Sequence, residues 1–129
     1  MPECTFMKPK LYRDFIDRLV DECQNGQGAI GPTRARAGIW NQNATAESKE
    51  FLEDQYGINQ LLATLNDDQR EVIASMLADA FQGGVFETLK ALETFAIEPF
   101  LDGYEGSPYH DFIGRVSADQ WQWPEEELA

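Results

Sequence analysis

Basic side chains are scarce in this 129-residue sequence: 10 Lys and Arg stand against 23 Asp and Glu, a formal net charge of −13. Affinity for nucleic acid comes largely from lysines and arginines that neutralise phosphates, and anionic membranes attract the same residues. The composition therefore argues against a nucleic-acid partner and against binding to a membrane surface. Two cysteines are too few for a disulfide framework, and a single histidine excludes a metal site built on two or three imidazoles.

The sequence also lacks segments that would direct it into a membrane. No apolar run approaches the roughly 20 residues of a spanning helix. The start, residues 1–6, carries an acid where a signal peptide would carry bases. We therefore expect a soluble, cytoplasmic protein.

Apolar material is abundant enough for a core, with 43% hydrophobic residues and 12% aromatic residues. The length suits a single domain that covers residues 1–129. The charge is uneven, because residues 1–43 hold six bases and five acids whereas residues 44–129 hold four bases and eighteen acids. Such polarity can steer a partner, but a solvated acidic surface explains it as well.

Apolar residues recur at helical spacing along most of the chain. The stripe of the first helix, from about residue 9 to residue 24, consists of Leu11, Phe15, Leu19 and Cys23, with Tyr12, Ile16 and Val20 beside them. A second helix is predicted from about Thr45 to Leu65. A third begins at an Asn66 N-cap, and its stripe changes direction after Gly83-Gly84, so we expect a break or a kink there.

Ser107-Pro108 opens a further, short helix, with the serine as N-cap and the proline at the first helical position. No window alternates apolar and polar residues with period two over five or more residues. The pattern predicts an all-α protein, a compact bundle of four to six helices. A Gly-rich loop at residues 25–44 is expected after the first helix, and an aromatic segment near the C-terminus.

Residues 26–31 match the G-x-G-x-x-G pattern of dinucleotide-binding proteins. That pattern has a mechanism only where it follows a strand and opens a helix, so that amides meet a pyrophosphate. Here it follows a helix. We interpret it as a helix C-cap with a flexible loop, and we expect no cofactor.

Arg34, Arg36 and Trp40 are the stronger candidates in that loop. Two arginines can fork onto a carboxylate or a phosphate, and an indole can stack on a ligand. The alternative is that the arginines pair with acids of the C-terminal two-thirds and hold the loop down.

His110 is the only histidine, and Tyr109 precedes it in the first turn of the short helix. A pairing of His110 with a cysteine for nucleophilic catalysis is weakly supported, since Cys23 lies on an apolar stripe. The pairs Glu47/Glu50 and Glu50/Glu53 have the E-x-x-E spacing of helical magnesium sites, although the later E-x-x-D of all-α nucleotide pyrophosphohydrolases is missing. We therefore expect no metal ion and keep a metal hydrolase as a rival.

Tyr109, Trp121 and Trp123 belong to an aromatic C-terminal stretch. Aromatic residues are enriched in interface hot spots, but a terminal segment that seals a core needs them equally. Both interpretations stay open.

The ending YHDFIGR (residues 109–115), followed by WQWP (residues 121–124), resembles the close of some small bacterial proteins of an uncharacterised family. The helix start at residues 65–71, LNDDQRE, is similar to one in such proteins. The resemblance implies a bacterial all-α domain and no particular activity.

We expect a non-catalytic acidic binding domain with an inhibitor, immunity-type or adaptor role, which meets a protein partner or self-associates, for example as a homodimer. The alternative is a small hydrolase or anion-binding domain that uses Arg34, Arg36 and the His110 region. A DNA mimic is a weaker third hypothesis.

Overall fold

A computed structural model describes residues 9–104, 106–117 and 121–127, apart from the side chains of residues 125 and 127. Six helices lie in this part of the chain: α1 (Lys10–Gln24), α2 (Gln27–Ala37), α3 (Glu53–Ala63), α4 (Asp67–Thr94), α5 (Pro108–Ser117) and α6 (Pro124–Glu127). The described residues contain no strand, so the all-α prediction with four to six helices is confirmed. None of these helices is both long and apolar enough to cross a membrane.

The chain forms two compact units, with boundaries after Gln24 and after Phe81. Unit 1 contains α1, the second half of α4, α5 and α6. Unit 2 contains α2, α3 and the first half of α4, so it is inserted between the two parts of unit 1. The prediction of a single domain over residues 1–129 stays a prediction.

Helix α1 forms where its periodicity predicts it, and it packs against α5. The buried side is centred one residue away from the expected stripe: Tyr12, Ile16, Val20 and Cys23 are buried. Leu11 and Phe15 lie at the edge of that side and are exposed over 70% and 41% of their surface. The apolar stripe of α1 is therefore wider than the surface that unit 1 covers.

The expected Gly-rich loop after the first helix is wrong in its first half, because Gln27–Ala37 form α2. The small residues Gly28, Pro32 and Ala35 form its buried side, so large apolar side chains do not mark this helix in the sequence. A Cβ atom at Gly31 would lie 3.3 Å from Trp40 Cη2. In the G-x-G-x-x-G pattern Gly26 is therefore the N-cap of α2, whereas Gly28 and Gly31 lie within the helix, and Gly31 permits close packing against Trp40.

Helix α2 ends at Gly38, which adopts the left-handed conformation with φ of 78°. Its N–H donates to the carbonyls of Arg34 and Ala35. This glycine C-cap satisfies carbonyls that would otherwise have no partner at the end of the helix.

Helix α3 begins at Glu53, eight residues later than the predicted start at Thr45. The preceding residues form turns, in which the Ser48 hydroxyl donates to the carbonyl of Asn43. Phe51, an apolar residue within the predicted helix, lies in these turns and is 85% exposed. Gly57 does not interrupt α3.

Helix α4 begins as predicted: Asn66 Oδ1 accepts a hydrogen bond from the backbone N–H of Gln69, and Gln69 Oε1 accepts one from the N–H of Asn66. This is a reciprocal capping box. Of the break or kink predicted at Gly83-Gly84, the break does not occur, since the helix continues to Thr94. The stripe changes direction because the first half of α4 buries Ala74 in unit 2, whereas the second half contributes Leu89 to unit 1.

Candidate functional site

Arg36 pairs with an acid of a later helix, which is the second of the two interpretations of the arginines given above. Its guanidinium donates to both carboxylate oxygens of Glu71, Nε to Oε2 at 2.7 Å and Nη2 to Oε1 at 3.0 Å. The pair joins the end of α2 to the first turns of α4 within unit 2. The Arg36 hydrogen bond holds the pKa of Glu71 below its ordinary value of 4.5.

Arg34 lies one turn back from the end of α2 and behaves differently. Its Cζ atom lies 5.8 Å from the centre of the Trp40 ring, within the range of a cation–π contact. In the described part of the chain no carboxylate forms an ion pair with it. Both arginines belong to the last turn of α2 rather than to a loop, where positive charge favours the helix end.

A pocket of about 400 Å³ lies beside Arg34, and we call it the Arg34 pocket. Its walls come from the last turns of α2 and the segment that follows. The lining residues are Thr33, Arg34, Ala37, Ile39, Trp40, Asn41, Gln42 and Asn43.

Asn59 of α3 holds the segment that forms the far wall of this pocket. Its Oδ1 atom accepts hydrogen bonds from the backbone N–H groups of Trp40 (2.7 Å) and Asn41 (3.1 Å). Its Nδ2 atom donates to the carbonyls of Asn41 (2.7 Å) and Ala44 (3.0 Å). One amide side chain thus uses both lone pairs and both hydrogens on a single loop.

Trp40 anchors the same segment from the other side. Its ring packs against a core of Ala35, Leu62 and Ala74. The loop therefore has an apolar anchor and a polar one. Its backbone is ordered without belonging to a helix.

Tyr109 and His110 lie in the first turn of α5 in unit 1, as predicted. The half-buried Tyr109 ring contacts Phe86 at 4.8 Å between ring centres, and Lys90 Nζ lies 5.9 Å from its centre. His110 is exposed. Because the arginines belong to unit 2, their convergence with His110 stays a prediction.

The most deeply buried polar group of unit 1 is Asp111, which sequence reasoning passed over. It is fully buried, and its Oδ2 accepts hydrogen bonds from the Tyr12 hydroxyl (2.6 Å) and the backbone N–H of Tyr104 (2.8 Å). Gly103 lies so close to this carboxylate that a Cβ atom would not fit. Burial and the neighbouring Asp111 raise the pKa of Tyr12, so the phenol stays protonated and donates.

Trp123 is 2% exposed and closes this region. Its Nε1 donates to the carboxylate of Asp17 at 3.1 Å, and its ring contacts Tyr12 and Tyr104. Arg115 donates to the same Asp17 carboxylate at 2.9 Å and lies 5.5 Å from the Trp123 ring centre. The position of Trp123 favours the interpretation in which the C-terminal segment seals a core.

Trp121 packs edge-on against Trp123, with 4.9 Å between ring centres. A Cβ atom at Gly114 would lie 2.9 Å from Trp121 Cδ1. Because Gly114 has no side chain, the Trp121 indole packs directly against the backbone of α5. Both C-terminal tryptophans thus belong to the packing of unit 1.

Glu47 and Glu50 lie in turns before α3. They therefore do not share a helical face, as the E-x-x-E magnesium site would require. Glu50, Glu53 and Asp54 instead line a wide depression of about 950 Å³ together with Lys49. Among the residues described here, no group of three His, Cys, Asp or Glu side chains has the geometry to hold a metal ion. Burial raises the pKa of the Cys23 thiol, which disfavours the thiolate that nucleophilic catalysis needs.

A family model described as a family of unknown function (DUF6547) matches residues 7–125, nearly the whole chain. The chain belongs to this family. The resemblance to an uncharacterised family is thereby confirmed, and membership carries no activity across. The chain matches no curated protein and no solved structure.

Two features of this DUF6547 chain were missed at the level of sequence. The Tyr12–Asp111 hydrogen bond joins residues 99 positions apart, and no local sequence pattern predicts such a pair. The Asn59 hydrogen bonds join α3 to a loop segment 15 to 19 residues earlier, and no local pattern predicts that pairing. A buried-side tyrosine on α1 was the one available signal, because a buried phenol needs a hydrogen-bond partner.

Proposed function

We propose that this protein is a non-catalytic binding protein that acts through protein contacts, and that its first partner is a second copy of the chain. The observation that carries the proposal is the outward edge of α1. There Leu11 and Phe15, one helical turn apart, expose large apolar side chains. Apolar side chains that a helix presents to water in a row are typical of helix-to-helix interfaces.

The charge around this edge supports self-association. The protein as a whole has a net charge of −13, so most pairs of identical surfaces would repel each other. Helix α1 is an exception, because Lys10, Arg13 and Arg18 nearly balance its four acids. Lys10 and Arg18 also form ion pairs along the helix, with Asp14 and Glu22. Two α1 helices can therefore approach with little electrostatic cost.

An acidic chain with one nearly neutral contact face fits an inhibitor, immunity-type or adaptor role in a bacterial cytoplasm. In such a role the acidic remainder of the surface would select basic partners by charge. The self-association through α1 is the part of this proposal that is tested directly.

The test is sedimentation equilibrium of the wild-type chain and of Leu11→Glu at several protein concentrations. We expect the wild type to rise from the 14.6 kDa monomer towards twice that mass. We expect Leu11→Glu to remain monomeric, since a charge buried in an apolar contact is costly. Leu11 is mostly exposed, so the variant should keep its helical circular dichroism.

Val72→Glu is the matched control, because Val72 is also an exposed apolar residue on a helix, at 59% exposure. It adds the same charge elsewhere and should leave the dimer intact. A monomeric wild type at the highest concentration, or equal loss of dimer in both variants, would reject the α1 contact.

A further inference from the structure

We propose that the Arg34 pocket binds a small organic carboxylate with a flat apolar body. The site is independent of the α1 contact proposed above, and it lies entirely within unit 2. Its three components are the Arg34 guanidinium, which no acid among the described residues neutralises, an indole wall and a loop fixed by Asn59.

The charge of the pocket is unusual for this chain. Acids outnumber bases by more than two to one in the sequence, yet the residues that line the Arg34 pocket include one arginine and no acid. Arg36, two residues further along, is neutralised by a bidentate contact with Glu71. Arg34 is therefore the guanidinium that remains available to an outside anion.

The shape and chemistry of the walls define the rest of the ligand. A volume of about 400 Å³ lies within the range of small-molecule sites. Ile39, Ala37 and the Trp40 ring supply apolar surface, whereas Thr33 and the side chains of residues 41–43 supply hydrogen-bonding groups. A flat ring or a short aliphatic body fits against the apolar residues, and polar substituents of the ligand fit against the hydrogen-bonding residues.

The pocket wall is held in place before any ligand arrives. Asn59 makes four hydrogen bonds to the loop, and the Trp40 ring rests on the unit 2 core. A wall that is already ordered loses little entropy when a ligand binds, which favours affinity for a small molecule.

A carboxylate suits this site better than a phosphate does. A single guanidinium forks onto the two oxygens of a carboxylate and balances its one charge. A phosphate dianion would bring a second charge to the carbonyl end of α2, where the helix dipole is negative. The ligand is thus a monoanion whose carboxylate meets Arg34 and whose body lies along Trp40.

The probe is sodium benzoate, titrated into nitrogen-labelled protein and followed by proton–nitrogen NMR up to about 20 mM, which detects millimolar affinity. Trp40→Phe identifies the Trp40 indole signal among those of the three tryptophans. We expect benzoate to shift that signal and the amides of residues 41–43 in a saturable way. Arg34→Gln should weaken binding at least about tenfold, because it removes a charge-assisted pair of hydrogen bonds.

Arg36→Gln is the matched control, since it removes the same charge from the same helical turn but not from the pocket wall. It should leave benzoate affinity within about twofold, since an exposed ion pair contributes little to the fold. Neutral benzamide and inorganic phosphate should shift the Trp40 signal much less than benzoate does.

Three results would overturn the site: no saturable shift with benzoate, equal losses in Arg34→Gln and Arg36→Gln, or equal shifts with benzamide. A stronger response to phosphate would reject the carboxylate as the ligand class. None of these results affects the sedimentation test of α1, so the two proposals fail separately.

Discussion

Unit 1 and unit 2 reach a packed interior by different means. Unit 1 buries the large aromatic residues Tyr12, Phe112 and Trp123. The Tyr12 hydroxyl donates to the buried Asp111, and the Trp123 indole donates to Asp17. Unit 2 buries the small and aliphatic residues Ala35, Leu62 and Ala74. Its main polar contacts are the hydrogen bonds between Asn59 and the loop that contains Trp40. The first arrangement depends on exact donor–acceptor geometry, whereas the second depends on volume.

The difference teaches where each unit is vulnerable. Removing a buried carboxylate breaks every hydrogen bond that it accepts, and each such bond to a charged group contributes more than a neutral one. An aliphatic core loses stability in proportion to the cavity that a substitution leaves. The unit 1 network therefore concentrates its stability in a few bonds, and the unit 2 core spreads its stability over many contacts.

The largest effect is expected for Asp111→Ala, which would break the unit 1 network. It removes a fully buried carboxylate together with its hydrogen bonds to the Tyr12 hydroxyl and the Tyr104 N–H, so we expect a loss of about 2–5 kcal/mol in the free energy of unfolding. Urea titration followed by circular dichroism measures the loss. Hydrogen exchange should become faster in α1 and α5 while α3 in unit 2 keeps its protection.

Asp14→Ala is the control for that experiment, because Asp14 is an exposed acid on the same helix as Tyr12, paired only along the surface with Lys10. It should change stability little. If α3 loses protection as fully as α5 in Asp111→Ala, the contrast between the units is structural but not energetic.

A smaller effect of opposite sign is expected at the boundary between the units. A Cβ atom at Gly83 would meet nothing within 4 Å, and glycine inside a helix costs about 0.5–1 kcal/mol relative to alanine. Gly83→Ala should therefore raise the free energy of unfolding by that amount in the same urea titration. Gly57→Ala, equally unobstructed inside α3, is the matched variant within unit 2. A loss of stability in Gly83→Ala alone would show that α4 needs its glycine where the units divide.

The smallest expected effect is on the pH dependence of the free energy of unfolding below pH 5. Arg36 lowers the pKa of Glu71 below 4.5 in unit 2, and in unit 1 the backbone N–H of Trp123, assisted by Arg115, lowers that of Glu126. Each carboxylate stabilises the folded chain above pH 4.5, and this stabilisation is lost as the pH falls through the lower folded-state value. Urea midpoints of Glu71→Gln and Glu126→Gln should therefore depend less on pH than the wild-type midpoint below pH 5.

Salt separates these two carboxylates. The Arg36–Glu71 pair is exposed and should be screened by added salt, so the effect of Glu71→Gln should shrink at high ionic strength. The leading contact of Glu126 is a hydrogen bond to the backbone, which is less sensitive to screening. Equal salt dependence in the two variants would contradict this distinction.

The sequence predicts the helices that have large apolar stripes or clear caps. Helices α1, α4 and α5 follow from Tyr12 and its neighbours, from the Asn66 cap and from Ser107-Pro108. Helix α2 is not predicted from the sequence because Gly28, Pro32 and Ala35 form its buried side. Such small residues produce almost no helical periodicity in hydrophobicity. Helix α3 begins later than predicted, and Phe51, an apolar residue of the predicted helix, is exposed in the turns before it.

The candidate sites were predictable to a lesser degree. Arg34, Arg36 and Trp40 were identified from residue type alone, but only geometry separates the neutralised Arg36 from Arg34. Asp111 was overlooked beside His110, because the value of a buried carboxylate lies in a partner that is distant in sequence. Contacts between remote residues are set by the whole fold, and a local pattern does not contain them.

In the sequence, unit 2 lies between the two segments of unit 1, and this order affects how the chain folds during synthesis on the ribosome. Tyr12 emerges 99 residues before Asp111, an interval of about 5–20 s at ordinary rates of synthesis. All of unit 2 emerges within that interval, so the middle of the chain can fold before its beginning has a partner. Tyr12 contacts Phe100, Tyr104 and Asp111. The buried side of α1 therefore waits for partners from the last 30 residues of the chain, and the first helix to be made is among the last to be finished.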